Sequence, residues 1–240
     1  MDVETGNDDA EKGRPIGRRV FLGTMGLGIS SLLWGDTAWR AIGDAMAPLV
    51  RAVPAAVRDA LPSPADGWRI YAVNPPFPEF DAATWRLTVA GLVGEPASLS
   101  LDELKQLPRS EQVSDFHCVT GWSVPDVRWT GVRLSDLLAR VTPDARARAL
   151  SFVSLEEPYV DTLTLRQASL PDVMLAYGMD GRPLTREHGA PVRVVMPRMY
   201  GYKGVKWLAR IDVTDVVAPG YWEQRGYDRD AWVGRSNGYS

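Results

Sequence analysis

The chemistry in this chain starts from a single thiol. Cys118 is the one cysteine among 240 residues, and only two histidines, His117 and His188, accompany it. One thiol forms no internal disulfide, no four-sulfur zinc site and no iron–sulfur cluster. There is no C-x-x-C-H pattern for covalent haem, and two histidines are too few for an all-histidine metal site. A lone cysteine is most often inert core filling. This one lies in Phe116-His117-Cys118-Val119-Thr120-Gly121-Trp122-Ser123, where a strand-like run gives way to a glycine-containing loop. Side chains on such loops reach clefts, and a thiolate there is a soft ligand for a thiophilic metal. One sulfur suffices only where a cofactor brings the remaining donors.

The elements that must position this loop follow from local pattern. Trp85 to Ala90 alternates apolar and polar residues as a half-buried strand does. Ser100-Leu101-Asp102-Glu103 opens a short helix with a capping box, ending near Pro108. Val113 to Val119 reads as a strand carrying Cys118 near its end, Leu134 to Val141 as a helix, and Ala149 to Leu155 as a strand. Leu163 to Leu170 reads as a short helix and Met179 to Arg182 as a turn. Pro191 to Met196 and Val205 to Val213 are two further strands. Irregularly ordered strands and short helices imply an α+β domain.

A second set of residues has binding character. Arg193 and Lys203 are cations able to make charge-assisted hydrogen bonds, and Gly201 permits close backbone approach. Asn74, Ser154 and His188 offer hydrogen-bond donors and acceptors. Each has a plainer reading. Arg193 could pair with a carboxylate, and Lys203 and Lys206 could be solvated strand ends. Asn74 before two prolines could only turn the chain, and His188 could only close a loop. Trp122, Trp129 and Trp207 read as core or pocket wall.

Taken together, these segments resemble the molybdopterin-binding domain of the sulfite oxidase superfamily. The resemblance rests on the Cys118 segment with Trp129-Thr130-Gly131-Val132 and Leu134-Ser135-Asp136-Leu137-Leu138. It continues through Asp172 to Tyr177, Asp180-Gly181-Arg182-Pro183-Leu184, His188 to Pro197, and Tyr200 to Trp207. It spans about residues 68–225 in unbroken order. The resemblance implies a mixed-sheet α+β fold and one molybdenum held by the dithiolene of a single molybdopterin. It implies Cys118 as catalytic metal ligand, with Asn74, Ser154, His188, Arg193, Gly201, Tyr202 and Lys203 around the pterin and its phosphate.

It further implies two-electron oxygen-atom transfer. Sulfite-oxidising members carry a basic residue soon after the cysteine, whereas here Arg128 comes first. Tyr200-Gly201-Tyr202-Lys203 is closer to the bacterial sulfoxide-reductase branch, so S-oxide reduction is expected ahead of sulfite oxidation. The competing class is a non-catalytic exported domain of this fold that binds no metal. Retention of the cysteine, the Arg193–Lys203 spacing and an export signal together argues against it. Without a haem, flavin or iron–sulfur motif, a separate redox partner is implied, a membrane haem protein or a cytochrome. No immunoglobulin-like dimerisation segment follows, so a monomer is expected.

The front of the chain differs in kind. Residues 1–15 are polar and charged, as a disordered leader is. Gly17-Arg18-Arg19-Val20-Phe21-Leu22 then runs into an apolar stretch from Thr24 to Trp34, resembling a twin-arginine export signal and too short for a comfortable membrane span. Asp36 to Pro64 looks like a tether. The expected organisation is therefore leader, signal or anchor and tether over 1–64, and a catalytic domain over 65–240, placed beyond the cytoplasmic membrane. A net charge of -3 gives no sign of a nucleic-acid partner.

Overall fold

The computed structural model describes residues 67–235, so the expected export signal and tether lie outside the described residues. Two five-stranded sheets form the frame. The first contains β1 (Leu87–Gly91), β2 (Ala97–Leu99), β5 (Ala149–Ser154), β6 (Val160–Thr164) and β10 (Leu208–Thr214), in the order β2-β1-β10-β5-β6. Its one parallel pair is β1 with β10, in register from Thr88 opposite Arg210 to Gly91 opposite Val213. The second runs β3 (Arg109–His117), β4 (Ser123–Arg133), β7 (Met174–Met179) and β8 (Arg182–Pro183), with β9 (Arg193–Val195) also paired to β7. Among the described residues, one mixed and one antiparallel sheet with three short α-helices make the expected mixed-sheet α+β architecture.

The helices form where the sequence supplies both a start and an apolar stripe. Helix α1 (Leu101–Lys105) begins at Ser100, whose side chain and that of Glu103 complete a reciprocal capping box. Helix α2 (Leu134–Val141) buries Leu134, Leu137, Leu138 and Val141, the i, i+3, i+4, i+7 face, and ends at Thr142 in the left-handed region. Helix α3 is only Leu165–Ala168, because Leu163 and Thr164 belong to β6. Thr164 and Gln167 form its own capping box.

The main core joins the two sheets. Leu87, Val89, Leu150, Phe152, Ile211 and Val213 pack against Val132, Leu134, Leu137 and Leu175. A second cluster around Trp68, Phe77, Trp129 and Trp207 lies beneath the site. Strand β4 is the longest at eleven residues and carries the site loop at its start. At Gly131, where its register with β7 shifts, a Cβ would overlap the Leu175 carbonyl, so only glycine lets these strands approach.

Candidate active site

Strand β3 ends at His117, and Cys118 opens the five-residue turn that leads into β4. The main chain closes the turn: Cys118 N–H donates to Trp122 O at 2.9 Å, and Gly121 N–H to Cys118 O at 3.0 Å. Gly121 sits at φ +88°, a conformation that favours glycine. The Cys118 thiol is half-buried, touches Thr120 Oγ1 at 3.1 Å, and opens into a cleft of about 460 Å³.

Aromatic rings build the floor behind that thiol. Trp68 lies 4.8 Å from Phe116 and 4.9 Å from the His188 ring, and meets Trp122 and Trp129 edge-on. The Phe116 ring occupies the space that a Cβ on Gly201 would need, so here glycine admits a phenyl ring. Trp122 Nε1 is buried without a partner.

The cleft also carries the cations. Arg193 begins β9, is buried, and lies over the rings of Trp129 and Phe116 at 5.2 and 5.7 Å. Its Nη1 donates to His188 O at 3.2 Å and its Nη2 to Gly204 O at 3.4 Å, while its Nε is buried with no partner. Burial pulls its pKa down to about 10. Lys206 donates to Tyr71 O at 2.6 Å and lies 4.1 Å above the Trp207 ring. Burial, then the Arg193 charge, push its pKa down to about 7, with Glu156 opposing. Two cations brought together, one with an orphaned N–H, make a site that favours an anion.

His188 lies against this pair, and burial followed by Arg193 and Lys206 lowers its pKa to about 4. It is therefore a neutral donor–acceptor at physiological pH. Because the folded pKa is depressed, the unfolded chain binds more protons between pH 6.5 and 4, and stability falls as pH falls through that window. Asp161, raised to about 6 by burial, acts in the opposite sense over nearly the same range. The difference between wild type and His188→Gln isolates the imidazole. The thermal midpoint of cofactor-free wild type should fall relative to that of His188→Gln as pH drops from 6.5 to 4, and a constant difference would contradict the burial of a neutral imidazole.

Of the residues singled out by sequence, the structure brings Cys118, His188, Arg193, Gly201 and Tyr202 to one cleft. It does not bring Lys203, Ser154 or Asn74. The Lys203 ammonium turns inward to Asp161, Thr162 O and Glu223, which uses its three donors. Lys206, read as an alternative solvated strand end, is the lysine that lines the cleft. Ser154 is buried, donates to Lys206 O at 2.8 Å and accepts from Glu156 N–H at 2.9 Å, so its hydroxyl positions its neighbours. Asn74 Nδ2 donates to Glu157 O at 3.0 Å, while the N–H groups of Val73 and Asn74 both donate to Glu156 Oε1. Tyr202 turns its hydroxyl to Asp228 O at 2.7 Å.

Sequence reasoning missed Glu156, Tyr159 and the Trp68–Val73 segment as cleft lining. A buried acid among loop residues carries no sequence signal of its own.

The family described as an oxidoreductase molybdopterin binding domain matches residues 74–222. The chain belongs to that family. With it comes membership of the sulfite oxidase superfamily and an enzymatic, oxidoreductase character. The oxidoreductase YuiH of Bacillus subtilis is 40% identical over 154 residues, 63% of this chain and 77% of that relative. The protein-methionine-sulfoxide reductase catalytic subunit MsrP of Ralstonia nicotianae is 36% identical over 153 residues, 58% of this chain but 46% of the relative. YedZ1 of Azospira oryzae, a protein-methionine-sulfoxide reductase subunit by name, is 36% identical over 66% of this chain and 58% of its own. The chain thus spans about half the length of these two sulfoxide-reductase relatives. Among solved structures, the sulfane dehydrogenase SoxCD of Paracoccus pantotrophus superposes with a TM-score of 0.56 at 25% identity, over 59% of this chain and 41% of that one.

The residues present fit a molybdopterin. The orphaned Arg193 N–H and the Lys206 ammonium suit its phosphate, and the Cys118 thiol suits a soft metal.

Proposed function

We propose that the cleft holds one molybdenum–molybdopterin group, with Cys118 Sγ as the protein ligand to the metal, and that the protein reduces an S-oxide. The observation that carries this reading is the convergence of a half-buried thiol and an unsatisfied buried arginine in one cleft. When bound, the group supplies two-electron oxygen-atom transfer. Arg193 and Lys206 hold the phosphate, and neutral His188 offers a hydrogen bond without adding charge. Trp68, Phe116 and Trp122 exclude water beside Cys118.

Support for an S-oxide over sulfite comes from the cysteine turn itself. Val119, Thr120 and Trp122 line the cleft next to Cys118 and none carries a charge, which suits a neutral polar group on an apolar body. The methionine-sulfoxide reductase names of two relatives support the same direction. Those relatives are named as subunits, which supports a separate electron donor, a haem protein or cytochrome. Arg18-Arg19 and the apolar run after them support export by the twin-arginine route, with the N-terminal segment, if uncleaved, as the membrane tether. Among the described residues, no helix is long and apolar enough to cross a membrane.

The test is metal analysis and turnover on protein made in a cofactor-producing host, with a reduced dye as electron donor. About one molybdenum per chain and S-oxide reduction faster than sulfite oxidation are expected. Folded protein without molybdenum would return the case to a binding domain. Faster sulfite oxidation would reverse the direction.

A further inference from the structure

One wall of the cleft comes from a segment with little regular structure to hold it. After β10 the chain contributes Tyr221, Trp222 and Tyr227 to the lining, and its helical content there is one 3-10 turn, Glu223–Arg225. Such a segment gains little from its own backbone, so tertiary ties decide where it lies.

Those ties converge on Lys203. The side chains of Lys203, Asp161 and Glu223 are 1%, 1% and 3% exposed. The ammonium donates to Asp161 Oδ1 at 2.6 Å, to Thr162 O at 2.9 Å and to Glu223 Oε1. The other Glu223 oxygen accepts from Gly220 N–H at 3.0 Å, which carries the tie into the segment's own main chain. A Cβ on Gly220 would lie 2.9 Å from the Asp161 carboxylate, so this glycine lets the segment press directly on the cluster. On either side, Tyr221 N–H donates to Val160 O at 2.7 Å and Tyr202 Oη to Asp228 O at 2.7 Å. The Tyr221 ring stacks on Tyr159 at 5.5 Å.

The charges do not balance. One ammonium faces two carboxylates, and Asp161 Oδ2 is buried without a partner. Burial pulls the Lys203 pKa down, but the two carboxylates outweigh this and hold it above the usual lysine range. Buried ion clusters are often no more stabilising than apolar residues of like volume, whereas removing one member is costly. Such a cluster is better explained by the geometry it enforces than by net stability.

We propose that Lys203 is a positioning residue whose cluster with Asp161 and Glu223 fixes segment 219–227 as the substrate-side wall of the cleft, setting substrate fit without holding the cofactor. The proposal rests on the reading of this cleft as the cofactor and substrate site.

The test uses the cofactor-loaded enzyme with Lys203→Met and Glu223→Ala. Three readouts are taken: molybdenum per chain, the rate of trypsin cleavage after Arg225 and Arg229, and kcat and KM for free methionine sulfoxide. Metal content should match wild type, cleavage should quicken about tenfold as the segment opens, and KM should rise about tenfold with kcat within about twofold. Metal loss in Lys203→Met with the segment still protected would overturn the proposal and return Lys203 to the cofactor. Unchanged cleavage and KM in both variants would overturn it as well. If Lys203→Met does not fold, Glu223→Ala, which lies on the segment itself, supplies the same three readouts. If wild type reduces no S-oxide, the proposed reaction falls alone, because cleavage and metal content still decide the anchoring.

Discussion

A Cys118→Ser protein is expected to fold, to retain pterin, and to lose turnover by at least about a thousandfold, or roughly 4 kcal/mol at the barrier. Serine replaces sulfur with a hard oxygen that ionises far less readily, so a soft metal loses its protein thiolate. The fold should tolerate the change because main-chain bonds close the turn: Cys118 N–H to Trp122 O at 2.9 Å and Gly121 N–H to Cys118 O at 3.0 Å. A half-buried, nearly isosteric exchange there should alter stability by no more than about 1 kcal/mol. Metal content, visible absorption and kcat measured together separate the outcomes. Wild-type turnover in the serine variant would place the ligand elsewhere.

The second large effect concerns two lysines three residues apart. Lys206→Met should weaken cofactor retention about 30- to 160-fold, the equivalent of a charge-assisted hydrogen bond of about 2–3 kcal/mol. Lys203→Met should not. The methionine stem keeps the contact with the Trp207 ring, over which Lys206 Nζ lies at 4.1 Å, so packing loss contributes little. Lys206 also predicts a pH dependence. Burial and then Arg193 place its pKa at about 7, so near neutral pH the phosphate-free cleft holds it partly uncharged. A phosphate favours the charged form and draws in a proton, so retention weakens as pH rises above 7. Cofactor dissociation followed from pH 6 to 9 should show this slope in wild type and lose it in Lys206→Met. A slope that survives the substitution would assign the proton to another group.

The pattern of legibility has physical causes. Helix α2 matches the sequence expectation residue for residue, because its four buried positions define one helical face. Strand β4 escaped because Pro125 and Asp126, at φ +54°, interrupt Ser123–Arg133 near its start, although buried and exposed residues alternate from Val127 to Gly131. The short helix expected from Leu163 starts two residues later, since both Leu163 and Thr164 complete β6. Strand β9 is only Arg193–Val195, shorter than the apolar run from Pro191, because pairing with β7 stops there. At the site, Cys118 and Arg193 were legible as residues of strong chemical character in distinctive surroundings. Lys203 and Lys206 were not separable by type. Their difference comes from the 3-10 turn Gly201–Lys203, which aims the first lysine into the interior, and its acidic partners lie 42 residues earlier and 20 later.

The pairing of β1 with β10 bears on how the chain must be made. Thr88 sits opposite Arg210, a separation of 210 − 88 = 122 residues, and β10 lies between β1 and β5 at the centre of its sheet. During synthesis the β1–β2 and β5–β6 hairpins emerge first with no surface to join them. The strand that unites them is among the last described elements to leave the ribosome, so this sheet cannot close progressively from its N-terminal side. Contacts this distant in sequence carry a large loop-closure cost before they return any stability. Closure of this sheet therefore waits until most of the described chain has emerged.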